Sequence, residues 1–193
     1  DPDQECIVFF GGSFTFGHGV NDNETLPYLV STKSNGKYRT FNLGFNGWGA
    51  HHMLSILEHN LERDKIDCEP KFAIYQALVN HVDRVVGRAS WDKHGPRYII
   101  DRNGALVLKG KFSDSTKSNM HYNYNNLIYR YLNKSNIIRK MAPKVILTLD
   151  RKSYIELYMA ITEHAKSIFE NRYPNSEFYV ILWDDPKFSD ISI

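Results

Sequence analysis

The stretch Ile7-Val8-Phe9-Phe10-Gly11-Gly12-Ser13 decides the fold class of this 193-residue chain. Four consecutive apolar residues followed by two glycines are typical of a strand that is buried on both faces and ends in a tight turn. Such strands occur in parallel sheets covered by helices, so the stretch predicts an α/β protein. The loops that follow parallel strands are where α/β proteins place their functional groups.

Helix and strand patterns alternate after this stretch. Asn23 to Val30 is predicted as a helix, with Asn23 as its N-cap and Pro27 in its first turn. A second strand covers Tyr38 to Leu43, and the glycine-rich segment from Gly44 to Gly49 ends it.

A second helix and a third strand follow. The helix begins near His51, and its apolar stripe repeats at helical spacing through Met53, Leu54, Leu57 and Leu61. The strand covers Phe72 to Leu78. This order predicts a parallel sheet with right-handed crossovers, in which the first strand lies between the other two.

The later sequence predicts a hairpin, two helices and a strand. Asp101-Arg102-Asn103-Gly104 between two apolar runs is a strong hairpin signal, and the hairpin insertion is expected at about 96–112. Helices are predicted over Asn119 to Asn133 and over Tyr154 to Arg172, and a fourth core strand over Phe178 to Leu182. The second helix has Asp150 or Ser153 as its expected cap. Its predicted buried side consists of Ile155, Leu157, Ala160, Ile161, Ala165 and Ile168.

The composition is that of one globular domain covering residues 1–193. A net charge of +2, from 24 basic and 22 acidic residues without a long run of one sign, argues against a nucleic-acid partner or a polybasic membrane patch. No apolar stretch approaches the roughly 20 residues that span a bilayer.

Cys6 and Cys68 are the only cysteines, and either one disulfide or two buried thiols fits their positions. The chain begins without Met, so a leader, anchor or upstream domain could have been removed, and an exported setting stays open.

Ser13 is the candidate nucleophile. A serine on a glycine turn after a buried strand has an exposed hydroxyl with backbone amides close by, which nucleophilic catalysis requires. A serine that merely caps the following turn fits this segment equally well.

The opening segment resembles the first block of the SGNH (GDSL-like) hydrolases. Phe10-Gly11-Gly12-Ser13-Phe14-Thr15-Phe16-Gly17 is similar to that block, with Gly12 where the family usually has an acidic residue. Gly17 to Thr25 resembles the family's extended opening. The resemblance implies a three-layer α/β/α fold with a flavodoxin-like parallel sheet, and Ser13 as nucleophile.

Two further blocks of the family are matched by position. Gly47 follows the second strand, and the resemblance implies that its N–H binds the oxyanion together with that of Ser13. A simple turn before the helix would also explain that glycine. Asn80 follows the third strand and would donate a third hydrogen bond, although it could instead cap a short helix.

The pattern of His81, Arg84 and Gly87, with the later Gly95-Pro96-Arg97-Tyr98, resembles a subgroup of the family that carries a hairpin. By this resemblance His81 and Arg84 are expected to bind substrate. Trp48 is also an expected substrate-binding residue, because an aromatic ring near the site suits an acyl chain or a sugar face.

The last block of the family, an Asp followed by its His partner, is not matched. Asp184 and Asp185 follow the fourth strand, but no histidine occurs after His164. A serine hydroxyl needs a base at neutral pH. The expectation is that the domain is incomplete at its C-terminus and that a histidine beyond Ile193 acts as the base.

No cofactor or metal is expected. The glycine turns match neither GxxxxGK[ST] nor GxGxxG. His51 and His52 resemble a metal pair only superficially, because adjacent helical residues point about 100° apart, and a solvated or partly packed helix start is expected.

The expected function is ester hydrolysis through an acyl-Ser13 intermediate, with an O-acetylated saccharide as one substrate class. A small-molecule ester is the other. The alternative is a non-catalytic binding or scaffold domain that keeps the fold and lacks the base. The sequence does not indicate an oligomeric state.

Overall fold

The structure, a computed structural model, describes residues 4–115 and 151–183. The predicted helix over 119–133, the Asp150 cap, and Asp184 with Asp185 lie outside these residues. The strands are β1 Glu5–Gly11, β2 Tyr38–Gly44, β3 Pro70–Leu78, β4 Pro96–Ile100, β5 Leu106–Lys111 and β6 Glu177–Trp183. The α-helices are α1 Ser13–Phe16, α2 Leu26–Lys33, α3 Ala50–Glu58, α4 His81–Arg84 and α5 Arg151–Arg172.

The central sheet is parallel, with strand order β2-β1-β3-β6. Ile7 lies opposite Thr40 on one side and Phe72 on the other, so the prediction that β1 lies between β2 and β3 is confirmed. The carboxyl ends of β1, β2 and β3 lie at one edge of the sheet because the strands are parallel. The turns after these strands meet there.

The core explains why the apolar run forms the central strand. Val8, Phe9 and Phe10 have no exposed surface, as expected for a strand covered on both faces. Val8 and Phe10 pack into the main core with residues of α3 and α5, and the Phe10 ring meets the Phe169 ring edge to face at 6.3 Å between centroids. The predicted α/β fold is therefore observed.

Two helix boundaries differ from the prediction. Thr25, not Asn23, is the N-cap of α2, and its hydroxyl accepts a hydrogen bond from the Tyr28 N–H; Asn23 lies in a preceding 3₁₀ turn. Helix α3 ends at Glu58, and Asn60 follows with a left-handed φ of 57°. Leu61 therefore lies beyond the helix and is exposed.

Helix α5 and strand β6 differ from the prediction in their burial. Helix α5 begins at Arg151, so Ser153 lies inside the helix instead of capping it. Leu157, Ile161 and Ala165 are buried as predicted. Thr162 and Phe169 are also buried, whereas Ile155, Ala160 and Ile168 are half-buried. Strand β6 pairs with β3, but of its side chains only that of Phe178 is buried, so β6 is not the core strand that its apolar run predicted.

The hairpin and the cysteine pair complete the fold. Strands β4 and β5 are antiparallel, with Ile100 opposite Leu106, as the Asn-Gly turn predicted. Cys6 and Cys68 form a disulfide that joins β1 to the segment before β3. None of the described helices is long and apolar enough to span a membrane.

Candidate active site

Thr15 fixes the turn that carries Ser13. Its hydroxyl donates a hydrogen bond of 2.8 Å to the Gln76 side-chain oxygen on β3, and its carbonyl accepts one of 2.8 Å from the Asn42 amide on β2. The Thr15 side chain fits only because position 44 is glycine, since a Cβ there would lie 2.7 Å from Thr15 Cβ. The first helix is thereby held over the ends of three neighbouring strands.

A cavity of about 370 Å³ opens at this edge of the sheet. Its lining includes Ser13 from the turn after β1, Gly47 from the turn after β2 and Arg84 from α4. The other lining residues are His18, Asn46 and Trp91. The structure therefore brings three of the six predicted site residues to one cavity.

The backbone N–H groups of Ser13 and Gly47 donate to no acceptor among residues 4–115 and 151–183. The Ser13 side chain is half-buried. Gly47 has a φ of 82°, and a Cβ there would lie 2.6 Å from Trp91 Nε1, so this turn requires glycine on both counts. A hydroxyl and two unpaired N–H groups on residues lining one cavity can provide a nucleophile and an oxyanion hole.

Asn80 follows β3 at the same edge but is not among the cavity-lining residues. Its side chain is exposed. It holds the N-cap position of α4, yet its side chain makes no capping hydrogen bond. The capping alternative is therefore not observed, and the oxyanion role stays a prediction.

Packing explains why position 12 is glycine and not an acidic residue. A Cβ on Gly12 would lie 2.9 Å from the Trp48 carbonyl oxygen and 3.0 Å from both Arg84 Nη1 and His81 Nε2. The φ of −98° is open to any residue, so close approach alone excludes a side chain. The side chains of Arg84 and His81 therefore pack beside the backbone of Gly12, next to Ser13.

Arg84 is largely buried and is one of the residues that line the cavity. Its Nη1 donates a 2.6 Å hydrogen bond to the Trp48 carbonyl, and its guanidinium lies 5.9 Å from the centroid of the Trp91 ring. Burial lowers the pKa of Arg84, and the nearby Tyr75 and Asp92 oppose that shift. The Trp48 ring itself stacks on the His52 ring at 5.1 Å, so the contribution of Trp48 to this cluster is its carbonyl.

His81 is fully buried beneath the turn. Its Nδ1 lies 2.6 Å from the Tyr75 hydroxyl and 3.5 Å from the Leu78 N–H, and its Nε2 has no partner among the described residues. Because the backbone N–H can only donate, Nδ1 is the acceptor and Nε2 carries the proton. Burial lowers the pKa of His81 to about 3, so the ring is neutral at pH 7.

A buried His-Asp-His cluster lies behind the cavity, and the sequence did not predict it. Asp92 accepts hydrogen bonds from His51 Nε2 at 2.7 Å and from His52 Nε2 at 3.1 Å. Both histidines are buried, so the start of this helix is packed and the solvated alternative is wrong. The two ring centroids lie 4.1 Å apart, and each histidine binds a different oxygen of one carboxylate. Asp92 is about 40 residues away, at the end of the 3₁₀ turn Ser90–Asp92, and no sequence pattern links it to the histidines.

The cluster has a donor set that metals use, since its ligand atoms lie within 4.8 Å of one another. However, His52 Nδ1 accepts a hydrogen bond from the Gly49 N–H at 3.3 Å, so Nε2 carries the proton and donates to Asp92. Burial lowers the pKa of His51 to about 4. Burial would raise the pKa of Asp92, but the hydrogen bonds from both histidines outweigh it and lower that pKa. These features fit a hydrogen-bonded support for Trp91 better than a metal centre.

His18 is a cavity residue that the sequence did not single out. Gly17 ends α1 in a left-handed conformation, which turns the chain back toward Ser13. The His18 N–H then donates a 2.9 Å hydrogen bond to the Ser13 carbonyl. The His18 Nδ1 lies 3.1 Å from the Asn46 side-chain nitrogen. With this amide orientation Asn46 donates to Nδ1, and the Nε2–H of the neutral ring is left for a ligand.

Comparison with known proteins gives no family assignment. No protein-family model matches the sequence, and no curated protein matches it significantly. Among solved structures, the chain is similar to a G-D-S-L-family lipolytic protein from Veillonella parvula at 19% identity and a TM-score of 0.35. That match covers 42% of this chain and 43% of the Veillonella protein, so it spans less than half the length of either chain. It is also similar to AlinE4, an SGNH-hydrolase family esterase, at 16% identity and a TM-score of 0.38, covering 91% of this chain and 75% of the other. Likenesses at these scores support no statement about activity.

Proposed function

We propose that this protein is a serine hydrolase of the SGNH type that cleaves an ester through an acyl-Ser13 intermediate. The observation that carries the proposal is the presence of Ser13 and Gly47 at one cavity, each with an unpaired backbone N–H. The order of the sequence blocks along three parallel strands supports the same assignment.

The proposed reaction begins with attack of Ser13 Oγ on the ester carbonyl while a histidine base takes the hydroxyl proton. The oxyanion accepts hydrogen bonds from the N–H groups of Ser13 and Gly47, with a third donated by the Asn80 amide. The base then protonates the leaving alcohol, and water hydrolyses the acyl-enzyme by the reverse sequence of steps.

We assign a different role to His18. With the Asn46 amide donating to Nδ1, the neutral ring carries its proton on Nε2 and cannot take a proton from Ser13 there. It can donate to a substrate oxygen instead. An O-acetyl group on a saccharide is the proposed substrate class, because the cavity volume suits a small acyl group and the exposed Trp91 ring offers a flat apolar face.

The test is covalent labelling with a fluorophosphonate, followed by identification of the modified residue. Labelling should occur at Ser13, should be lost in Ser13→Ala and should persist in Ser90→Ala, whose exposed serine lies next to Trp91. Hydrolysis of short acetyl esters should follow the same pattern. A folded protein that is neither labelled nor active would instead favour the non-catalytic binding domain.

A further inference from the structure

Resting on the proposed function, we propose that the ester substrate carries a carboxylate close to its scissile bond and that Arg84 binds this group. The inference names a substrate class for the cavity at Ser13. It stands on the charge balance of the cavity, on the free donors of Arg84 among the described residues and on the closeness of Arg84 to Gly12, the residue before Ser13.

The cavity lining has a positive charge and no negative one among the described residues. Of its six described lining residues, Arg84 carries a permanent charge, and none is Asp or Glu. In residues 4–115 and 151–183, no carboxylate oxygen lies within 4.0 Å of the Arg84 guanidinium. Asp92 is near enough to influence Arg84, but its two oxygens already accept hydrogen bonds from His51 and His52. A largely buried cation that has no ion-pair partner among the described residues favours an anionic ligand.

The donors of Arg84 are mostly unused. A guanidinium has five N–H donors, and within the described chain this one donates a single hydrogen bond, to the Trp48 carbonyl. In the part of the chain that the structure describes, the buried side-chain nitrogens and oxygens without a partner are His51 Nδ1, Glu62 Oε2 and His81 Nε2. No Arg84 nitrogen is in that set, so none of them is both buried and unpaired there. Since Arg84 lines the cavity, a ligand there can reach them.

The position of Arg84 limits where the anion can lie. Its Nη1 is 3.0 Å from the point where Gly12 would carry a Cβ, and Gly12 is the residue before the nucleophile. The anion must therefore be a few bonds from the carbonyl that Ser13 attacks. A planar guanidinium pairs with a carboxylate through two parallel hydrogen bonds, which a neutral amide cannot reproduce.

The first experiment measures binding without catalysis. In the Ser13→Ala protein, 3-acetoxypropanoate should bind at least about tenfold more tightly than its neutral isostere 3-acetoxypropanamide, the ratio expected for one hydrogen bond to a charged group. Arg84→Gln should remove this preference while keeping a donor for the Trp48 carbonyl. Arg84→Lys should restore part of it, and Arg88→Gln, an exposed arginine paired with Asp83, should leave it unchanged.

The outcomes separate the two proposals. Equal binding of the two esters, or a preference that survives in a folded Arg84→Gln protein, overturns the role of Arg84. The second experiment compares kcat/KM for the same two esters with Ser13 present, and the ratio should again depend on Arg84. A charge preference that requires Arg84, without any turnover, would uphold the anion site while contradicting the serine hydrolase. Thermal unfolding of each variant shows whether it is folded.

Discussion

Two glycine turns of this protein look alike in sequence and differ in structure. Gly12 lies in the turn after β1, where an added Cβ would come within 3.0 Å of three different residues. Gly104 lies in the hairpin turn, where an added Cβ would meet nothing within 4 Å. Gly104 is required by its φ of 80°, whereas Gly12 has a φ of −98° that any residue can adopt.

Packing against neighbouring atoms determines the residue at the Gly12 turn, whereas the backbone conformation of a chain reversal determines it at the Gly104 turn. At the Ser13 turn, buried polar groups of Arg84 and His81 fill the space beside the backbone of Gly12, the residue before Ser13. At the hairpin, the backbone conformation alone decides the residue, and solvent surrounds it. Changes at the first turn should therefore affect catalysis, and matched changes at the second should not.

The largest expected effect comes from a pair of asparagine substitutions, one after β3 at the edge of the sheet that also carries Ser13, and one in the hairpin turn. Asn80→Ala should lower kcat by about 10²- to 10³-fold, the cost of one oxyanion donor. Asn103→Ala in the exposed hairpin turn should leave kcat unchanged. Steady-state kinetics on an acetyl ester measures both. If the two variants behave alike, Asn80 is not an oxyanion donor.

Acid should destabilise the protein through the buried histidines His51 and His81. Burial lowers the pKa of His51 from 6.5 to about 4 and that of His81 to about 3. Below pH 6.5 the unfolded state binds more protons than the folded state, so the free energy of unfolding falls as the pH decreases. At about 1.4 kcal/mol per pKa unit, His51 alone should account for a loss of about 3 kcal/mol by pH 4.

Urea unfolding between pH 7 and pH 4 measures this loss. His51→Gln should flatten the pH dependence, whereas His94→Gln should not, because His94 is exposed before the hairpin. An equally steep dependence in the His51→Gln protein would contradict the assignment of a buried neutral ring.

Matched alanine substitutions test the two glycines directly. Gly12→Ala should cost about 1 to 3 kcal/mol of stability, because the Trp48 carbonyl and the two side chains must move, and it should slow labelling of Ser13. Gly104→Ala should cost about 1 kcal/mol through its left-handed φ and leave labelling unchanged. Equal labelling rates in the two variants would show that the packing at Gly12 does not position Ser13.

The sequence predicts the sheet better than it predicts the site. The apolar runs at Ile7 to Phe10 and at Phe72 to Leu78 identify buried strands, and the glycines after them identify the turns, because both signals are local. The same signal fails at Val180 to Trp183, where an apolar run forms a strand with exposed side chains. Hydrophobicity indicates that a segment prefers burial, but the neighbouring elements decide whether it is buried.

The supporting residues of the site depend on contacts between distant positions. Asp92 binds two histidines about 40 positions earlier, and Arg84 fills the space beside Gly12. No periodicity or motif records such contacts. The resemblance identified Gly12 as a departure from the family, and only the structure supplies its physical reason.

The smallest expected effect concerns His18. The His18→Gln protein should lose about tenfold or less in kcat/KM, mainly through KM, because glutamine can still donate a hydrogen bond to a substrate oxygen. If His18 were instead the base, with the Asn46 amide reversed to accept from Nδ1–H, the loss would approach about 10⁶ in kcat, as when a catalytic histidine is removed. His94→Gln serves as the control outside the cavity. A fall in kcat of several orders of magnitude would therefore place the base within the first 20 residues and contradict the donor role given to His18.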